Sequence, residues 1–133
     1  MSRNIPGEPR NTPQPRPDAG LRWAGRVLFL TTIYLITDLA LQPGLATPPV
    51  LLGPDKLEHI AAFLVLTLLA RMAWPQRVWI TPLALLSYGV WIEWAQAAQG
   101  AGRTASGADI IADLIGIALG VLLANLVTRQ SRT

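Results

Sequence analysis

One short stretch of this chain places three kinds of ionisable side chain close together. Its sequence is DKLEH, from Asp55 to His59. Asp55 and His59 are four residues apart, so on a helix they project from the same side, with Lys56 beside them. A histidine beside a carboxylate can act as a general base near neutral pH. A lysine at the same place can instead bind an anionic group.

A second group of polar residues follows further along the chain. Glu93 and Gln96 are three residues apart, Asp109 and Asp113 are four apart, and each pair shares one helical face. Arg103 lies between the two pairs in a glycine-rich loop. Its planar guanidinium suits a phosphate, and the carboxylates can hold it in place.

An enzymatic interpretation makes His59 a general base oriented by Asp55 or Glu93. Alternatively, His59, Asp109 and Asp113, together with Glu93, form a divalent metal site. The candidate catalytic residues are then His59, Glu93 and Asp109. The chain contains neither the H-E-x-x-H zinc motif nor the G-x-S-x-G nucleophile motif. Whether the protein is an enzyme acting on a lipid-linked substrate therefore stays open, with a non-catalytic role favoured, and we expect no bound metal and no cofactor.

Two interpretations without catalysis remain. In the structural one, Lys56 and Arg103 neutralise the carboxylates and lock the helices together. Desolvation offsets much of the attraction within such pairs, so stability alone is a poor reason to keep them. We therefore predict a binding site for an anionic group, such as a lipid phosphate or the head group of a cell-wall precursor. Its predicted residues are Asp55, Lys56, His59, Glu93, Gln96, Arg103, Asp109 and Asp113.

The composition indicates what surrounds these residues. The 133 residues suit one domain, and they are 51% hydrophobic and only 14% charged, which is typical of a membrane protein. The absence of cysteine excludes disulfides, thiolate catalysis and iron–sulfur clusters. The arginines lie between apolar runs without a basic, aromatic face, so we expect no nucleic-acid partner.

Four apolar segments predict an all-α, four-helix transmembrane bundle. They lie at about 23–42, 56–74, 78–99 and 108–127, within a membrane domain of residues 23–128. Each has roughly the 20 residues that a helix needs to cross a bilayer. A soluble bundle is disfavoured because no segment has a continuous polar face. Residues 1–22 are rich in proline and arginine and predict a disordered cytoplasmic tail, and residues 129–133 form a second tail.

The distribution of basic residues predicts the orientation of this bundle. With both termini in the cytoplasm, nine of the eleven lysines and arginines lie inside, and only Lys56 and Arg103 lie outside. This arrangement satisfies the positive-inside rule. The polar residues of both stretches then gather at the outer membrane surface, where ionisable groups at membrane depth indicate a functional site.

The last apolar segment carries a stripe of small residues, which predicts close contact with another helix. The stripe consists of Ala108, Ala112, Gly116, Gly120 and Ala124.

The two polar stretches together resemble the VanZ-like family, over about residues 50–125. Residues Asp55–His59, followed by Phe63, resemble the D-K-x-x-H opening of these proteins. The second family signature is similar to Glu93-x-x-Gln96 followed by Arg103, Ser106, Asp109, position 113, Gly116 and Gly120. At position 113 the family commonly has asparagine, whereas this chain has Asp113.

The resemblance implies a multi-pass protein of the bacterial cytoplasmic (inner) membrane. The name member of the family is linked to low-level resistance to the glycopeptide teicoplanin, so a role in glycopeptide tolerance is implied here. From the predicted anion-binding site, we expect membrane lipids, among them a lipid-linked cell-wall precursor, as partners. A homo-oligomer also stays open. Transport would require one, since four short helices alone leave little room for a transport pathway.

Overall fold

The structure is a computed structural model that describes residues 18–43, 54–100 and 105–130. No strand occurs in these three ranges, so the predicted all-α fold is confirmed. Each predicted apolar segment corresponds to one helix. The helices are α1 (Ala19–Leu41), α2 (Pro54–Ala73), α3 (Ile80–Ala98) and α4 (Gly107–Gln130).

The ends of the helices differ somewhat from the predicted ones. α1 begins at Ala19, inside the predicted tail, where Asp18 and Arg22 form an ion pair of 2.6 Å that supports the first turn. α4 continues to Gln130 and so includes the first residues of the predicted C-terminal tail. The rest of both predicted tails, residues 1–17 and 131–133, lies outside the described residues.

The apolar core is centred on α2. Phe63 and Leu66 of α2 are buried against Leu85 of α3 and Ile117 of α4. α1 packs mainly on α2, and its outward side chains, including Tyr34, are exposed. Exposed apolar side chains on the outer surface of a helix bundle are suited to a lipid environment.

α2 and α4 run parallel and in register. Lys56 contacts Asp109 where the two helices begin, and Arg71 donates a hydrogen bond of 3.0 Å to Asn125 where they end. The small-residue stripe of α4 faces α2, with its central members buried. Because the chain reverses at each connection, α3 ends where α2 and α4 begin. Polar residues from three helices therefore meet at one end of the bundle.

By length and composition, α1 and α4 are able to cross a membrane. α2 carries several ionisable residues within its own length, including Lys56, and is the least apolar of the four helices. The four-span topology with both termini in the cytoplasm stays a prediction.

Reporter fusions test this topology. A reporter that is active only in the cytoplasm is expected to work when fused after Thr133 or between Arg71 and Arg77. It is expected to fail between Gly100 and Gly107, because most basic residues are retained on the cytoplasmic side. Cytoplasmic activity from the last fusion would reverse the orientation and place the polar end of the bundle inside the cell.

Candidate functional site

Six ionisable residues meet at the end of the bundle where α2 and α4 begin and α3 ends. Helix N-termini carry partial positive charge, so acidic groups in the first turns of α2 and α4, such as Asp55 and Asp109, are favoured locally. We refer to the six residues as the polar cluster: Asp55, Lys56, His59, Glu93, Asp109 and Asp113.

Lys56 links α2 to α4 within the polar cluster. Only 6% of this residue is exposed, which is unusual for a lysine. Its Nζ donates a hydrogen bond of 2.8 Å to Asp55 Oδ2 and a second one to Asp109 Oδ1. Two carboxylates therefore compensate the buried ammonium, and Asp109 is held at the first turn of α4.

His59 is held by Asp113 across the same helix pair. The distance from His59 Nδ1 to Asp113 Oδ1 is 2.8 Å, and Asp113 is 1% exposed. An ionised Asp113 carboxylate accepts this hydrogen bond from Nδ1–H, and in the neutral imidazole the lone pair then lies on Nε2. Gly89 of α3 makes room for this pair, since a Cβ at position 89 would collide with Asp113 Oδ2.

Glu93 is the buried carboxylate that α3 contributes. It is 3% exposed, and its Oε2 accepts a hydrogen bond of 2.7 Å from the backbone N–H of Ser106. The Ser106 hydroxyl in turn accepts a hydrogen bond of 3.3 Å from the Asp109 N–H, which caps the start of α4. Glu93 Oε1 is buried and has no hydrogen-bond partner within the described part of the chain.

The side chains of His59, Glu93 and Asp109 converge on one point. Each offers a nitrogen or carboxylate oxygen, and the three atoms lie within 4.8 Å of one another. The metal set considered from the sequence contained Asp113 in addition to these three residues. In the structure Asp113 instead bonds to the imidazole of His59.

The structure does not bring every candidate residue to this point. Gln96 turns towards α1, where its Nε2 donates a hydrogen bond of 2.9 Å to the Ala40 carbonyl. Asp55 contacts Lys56 and not His59, although the helical spacing pointed to His59. Arg103 lies outside the described residues.

Sequence reasoning missed Gly89 as a residue of the site. A glycine inside a helix was the available signal, because it often marks close packing. Which side chain it accommodates depends on how α3 packs against α4, and that is visible only in the fold.

The chain matches the model of the family described as VanZ/LLP1 over residues 14–128. No curated protein and no solved structure matches it. The matched range includes α1 to α4 almost completely, and with it the whole polar cluster. Together with the two apolar helices α1 and α4, this match indicates a membrane protein. The chain belongs to the VanZ/LLP1 family.

Proposed function

We propose that this protein is a multi-pass protein of the bacterial inner membrane that binds the anionic head group of an envelope lipid or lipid-linked cell-wall precursor. The polar cluster is the binding site. One observation carries the proposal: Lys56, Glu93 and Asp113 are all buried at the same end of the bundle, and they come from three different helices.

Burial of these charges is difficult to explain by stability alone. Each ion taken out of water loses several kcal/mol of hydration, and ion pairing at best roughly offsets this loss. Apolar side chains would hold three helices together at lower cost. Ionisable groups within a membrane protein are therefore functional candidates, and those of the polar cluster are close enough to act on one ligand.

The surroundings of the polar cluster fit an amphiphilic ligand. Leu57, Trp94 and Ile111 are neighbours of cluster residues in α2, α3 and α4, and each is more than half exposed. An acyl or prenyl chain can lie along this apolar surface while its phosphate lies at the beginnings of α2 and α4, where helix N-termini favour anions. Lys56 and Arg103 are the cations that we assign to the phosphate. Protection of such a lipid from a glycopeptide would account for a role in teicoplanin tolerance.

Lipids that copurify with the protein test the proposal. Native mass spectrometry of wild-type protein is expected to detect a polyprenyl or peptidoglycan-linked lipid. Arg103→Ala should reduce its occupancy about tenfold or more, because it removes a cation that we assign to the phosphate. Glu93→Gln should reduce it as well, because the Glu93 carboxylate holds the Ser106 N–H beside the start of α4. Glu58→Gln is the matched control, since Glu58 begins the same end of α2 but is exposed.

The same variants separate binding from scaffolding. A binding role predicts that lipid occupancy falls while the yield and melting temperature stay near wild type. Ordinary phospholipid alone in the wild type, or loss of protein in step with loss of lipid, would favour a purely structural network.

A second function, lipid modification by general base catalysis, is favoured by the contact between His59 and Asp113. A buried carboxylate that holds an imidazole by Nδ1 leaves Nε2 ready to accept a proton. Turnover of the copurified lipid by wild-type protein, but not by His59→Gln, would support this alternative. A lipid that stays intact during incubation would exclude it for that lipid.

A further inference from the structure

The buried Glu93 carboxylate is only half satisfied. Oε2 accepts the hydrogen bond from Ser106, whereas Oε1 is buried without a partner among the described residues. A buried carboxylate oxygen that lacks a donor loses its hydration without compensation. Since a ligand atom of Glu93 lies within 4.8 Å of those of His59 and Asp109, these three residues can share one cation.

His59 is prepared for the same cation. His59 Nδ1 lies 2.8 Å from Asp113 Oδ1, and in the neutral imidazole with its proton on Nδ1 the lone pair of Nε2 is available to a metal. A histidine that binds a metal through one nitrogen and a carboxylate through the other is a recurrent arrangement, in which the carboxylate fixes the ring and makes it a better donor. Asp113 is therefore a positioning residue here and not a ligand.

The polar cluster has more carboxylates than cationic side chains, and this excess negative charge favours a bound cation. Its carboxylates are Asp55, Glu93, Asp109 and Asp113, and Lys56 is the ammonium that pairs with two of them. Lys56 uses one oxygen of Asp109, so the other oxygen stays available. A divalent cation would offset most of the remaining negative charge.

We propose that His59, Glu93 and Asp109 bind a divalent transition-metal cation, Zn²⁺ or Mn²⁺. One imidazole nitrogen with two carboxylate oxygens suits these ions better than Ca²⁺ or Mg²⁺, which prefer all-oxygen sites. The ligand atoms of a tetrahedral Zn²⁺ shell are about 3.4 Å apart, so binding requires these three atoms, within 4.8 Å of one another, to move closer together. Three protein ligands leave one position for water or a phosphate oxygen. The cation site goes beyond the proposed lipid binding and stands without it.

Metal content of delipidated protein tests the cation site. The protein is purified in detergent with a tag that contains no histidine, stripped with EDTA and dialysed against ZnSO₄ or MnCl₂. We expect about one ion per chain for at least one metal. Zinc-edge X-ray absorption of the loaded wild type should show imidazole together with carboxylate oxygens. Absence of both metals from folded protein, or a zinc shell without imidazole, would overturn the assignment.

Matched variants identify the ligands. Glu93→Gln and Asp109→Asn are expected to weaken metal binding at least about tenfold, and Asp113→Asn about 10- to 100-fold because it holds His59 less strongly. Glu58→Gln should bind as the wild type does. Wild-type affinity in both ligand variants would refute the site. Should either variant unfold, the metal stoichiometry and X-ray absorption spectrum of the wild type still show whether the cation site exists. Neither measurement depends on whether a lipid binds.

Discussion

Replacing Gly116 with leucine is expected to prevent α4 from packing on α2. Even a Cβ at this position would lie 2.5 Å from the Ile60 carbonyl oxygen and 3.0 Å from Phe63 Cβ. The first of these is backbone, so the two helices must separate. Overpacking of this kind typically destabilises by about 1–3 kcal/mol or more, a large part of a stability of roughly 5–15 kcal/mol. The melting temperature and the monodisperse yield in detergent should both fall strongly.

Alanine at two glycines provides the matched comparison. Gly20 of α1 has no neighbour within 4 Å of an added Cβ. Gly20→Ala should therefore be neutral or stabilising by up to about 1 kcal/mol, because alanine favours a helix. Gly116→Ala should destabilise, since the same methyl group collides with α2. The same sign and size for both alanine variants would show that the stripe does not determine how the helices pack.

The helices could be predicted from the sequence because their causes are local. A long apolar run followed by Pro43-Gly44 or Pro75 is enough to indicate where a helix ends. The start of α1 was harder to predict from the sequence. It depends on the side-chain contact between Asp18 and Arg22, which hydropathy does not detect.

The residues of the polar cluster could be predicted, but not their pairing. Helical spacing placed Asp55 beside His59, and this assignment considers only neighbours within one helix. In the structure, the partner of His59 is Asp113 of the neighbouring helix. That contact requires the parallel register of α2 and α4, which the separate segments do not specify. Gln96 shows the same limit, because its helical face meets the end of α1.

Removal of the Lys56 ammonium is expected to have the second large effect. Lys56→Met keeps the length of the side chain but leaves Asp55 and Asp109 without their shared cation. The Asp109 side chain is only 15% exposed, so its charge is poorly hydrated. Breaking a buried ion pair by removing one partner typically destabilises by about 3–5 kcal/mol. Thermal unfolding in detergent should show a correspondingly large decrease in stability.

A double-mutant cycle determines how much of this effect belongs to the contact itself. Adding Asp109→Asn to Lys56→Met removes the stranded charge, so the double variant should be more stable than Lys56→Met alone. The ion pair between Asp18 and Arg22 is the control. Its side chains are 48% and 31% exposed, so Arg22→Gln should change stability by about 1 kcal/mol or less. Additive effects of Lys56→Met and Asp109→Asn would mean that the two residues do not stabilise the bundle through their mutual contact.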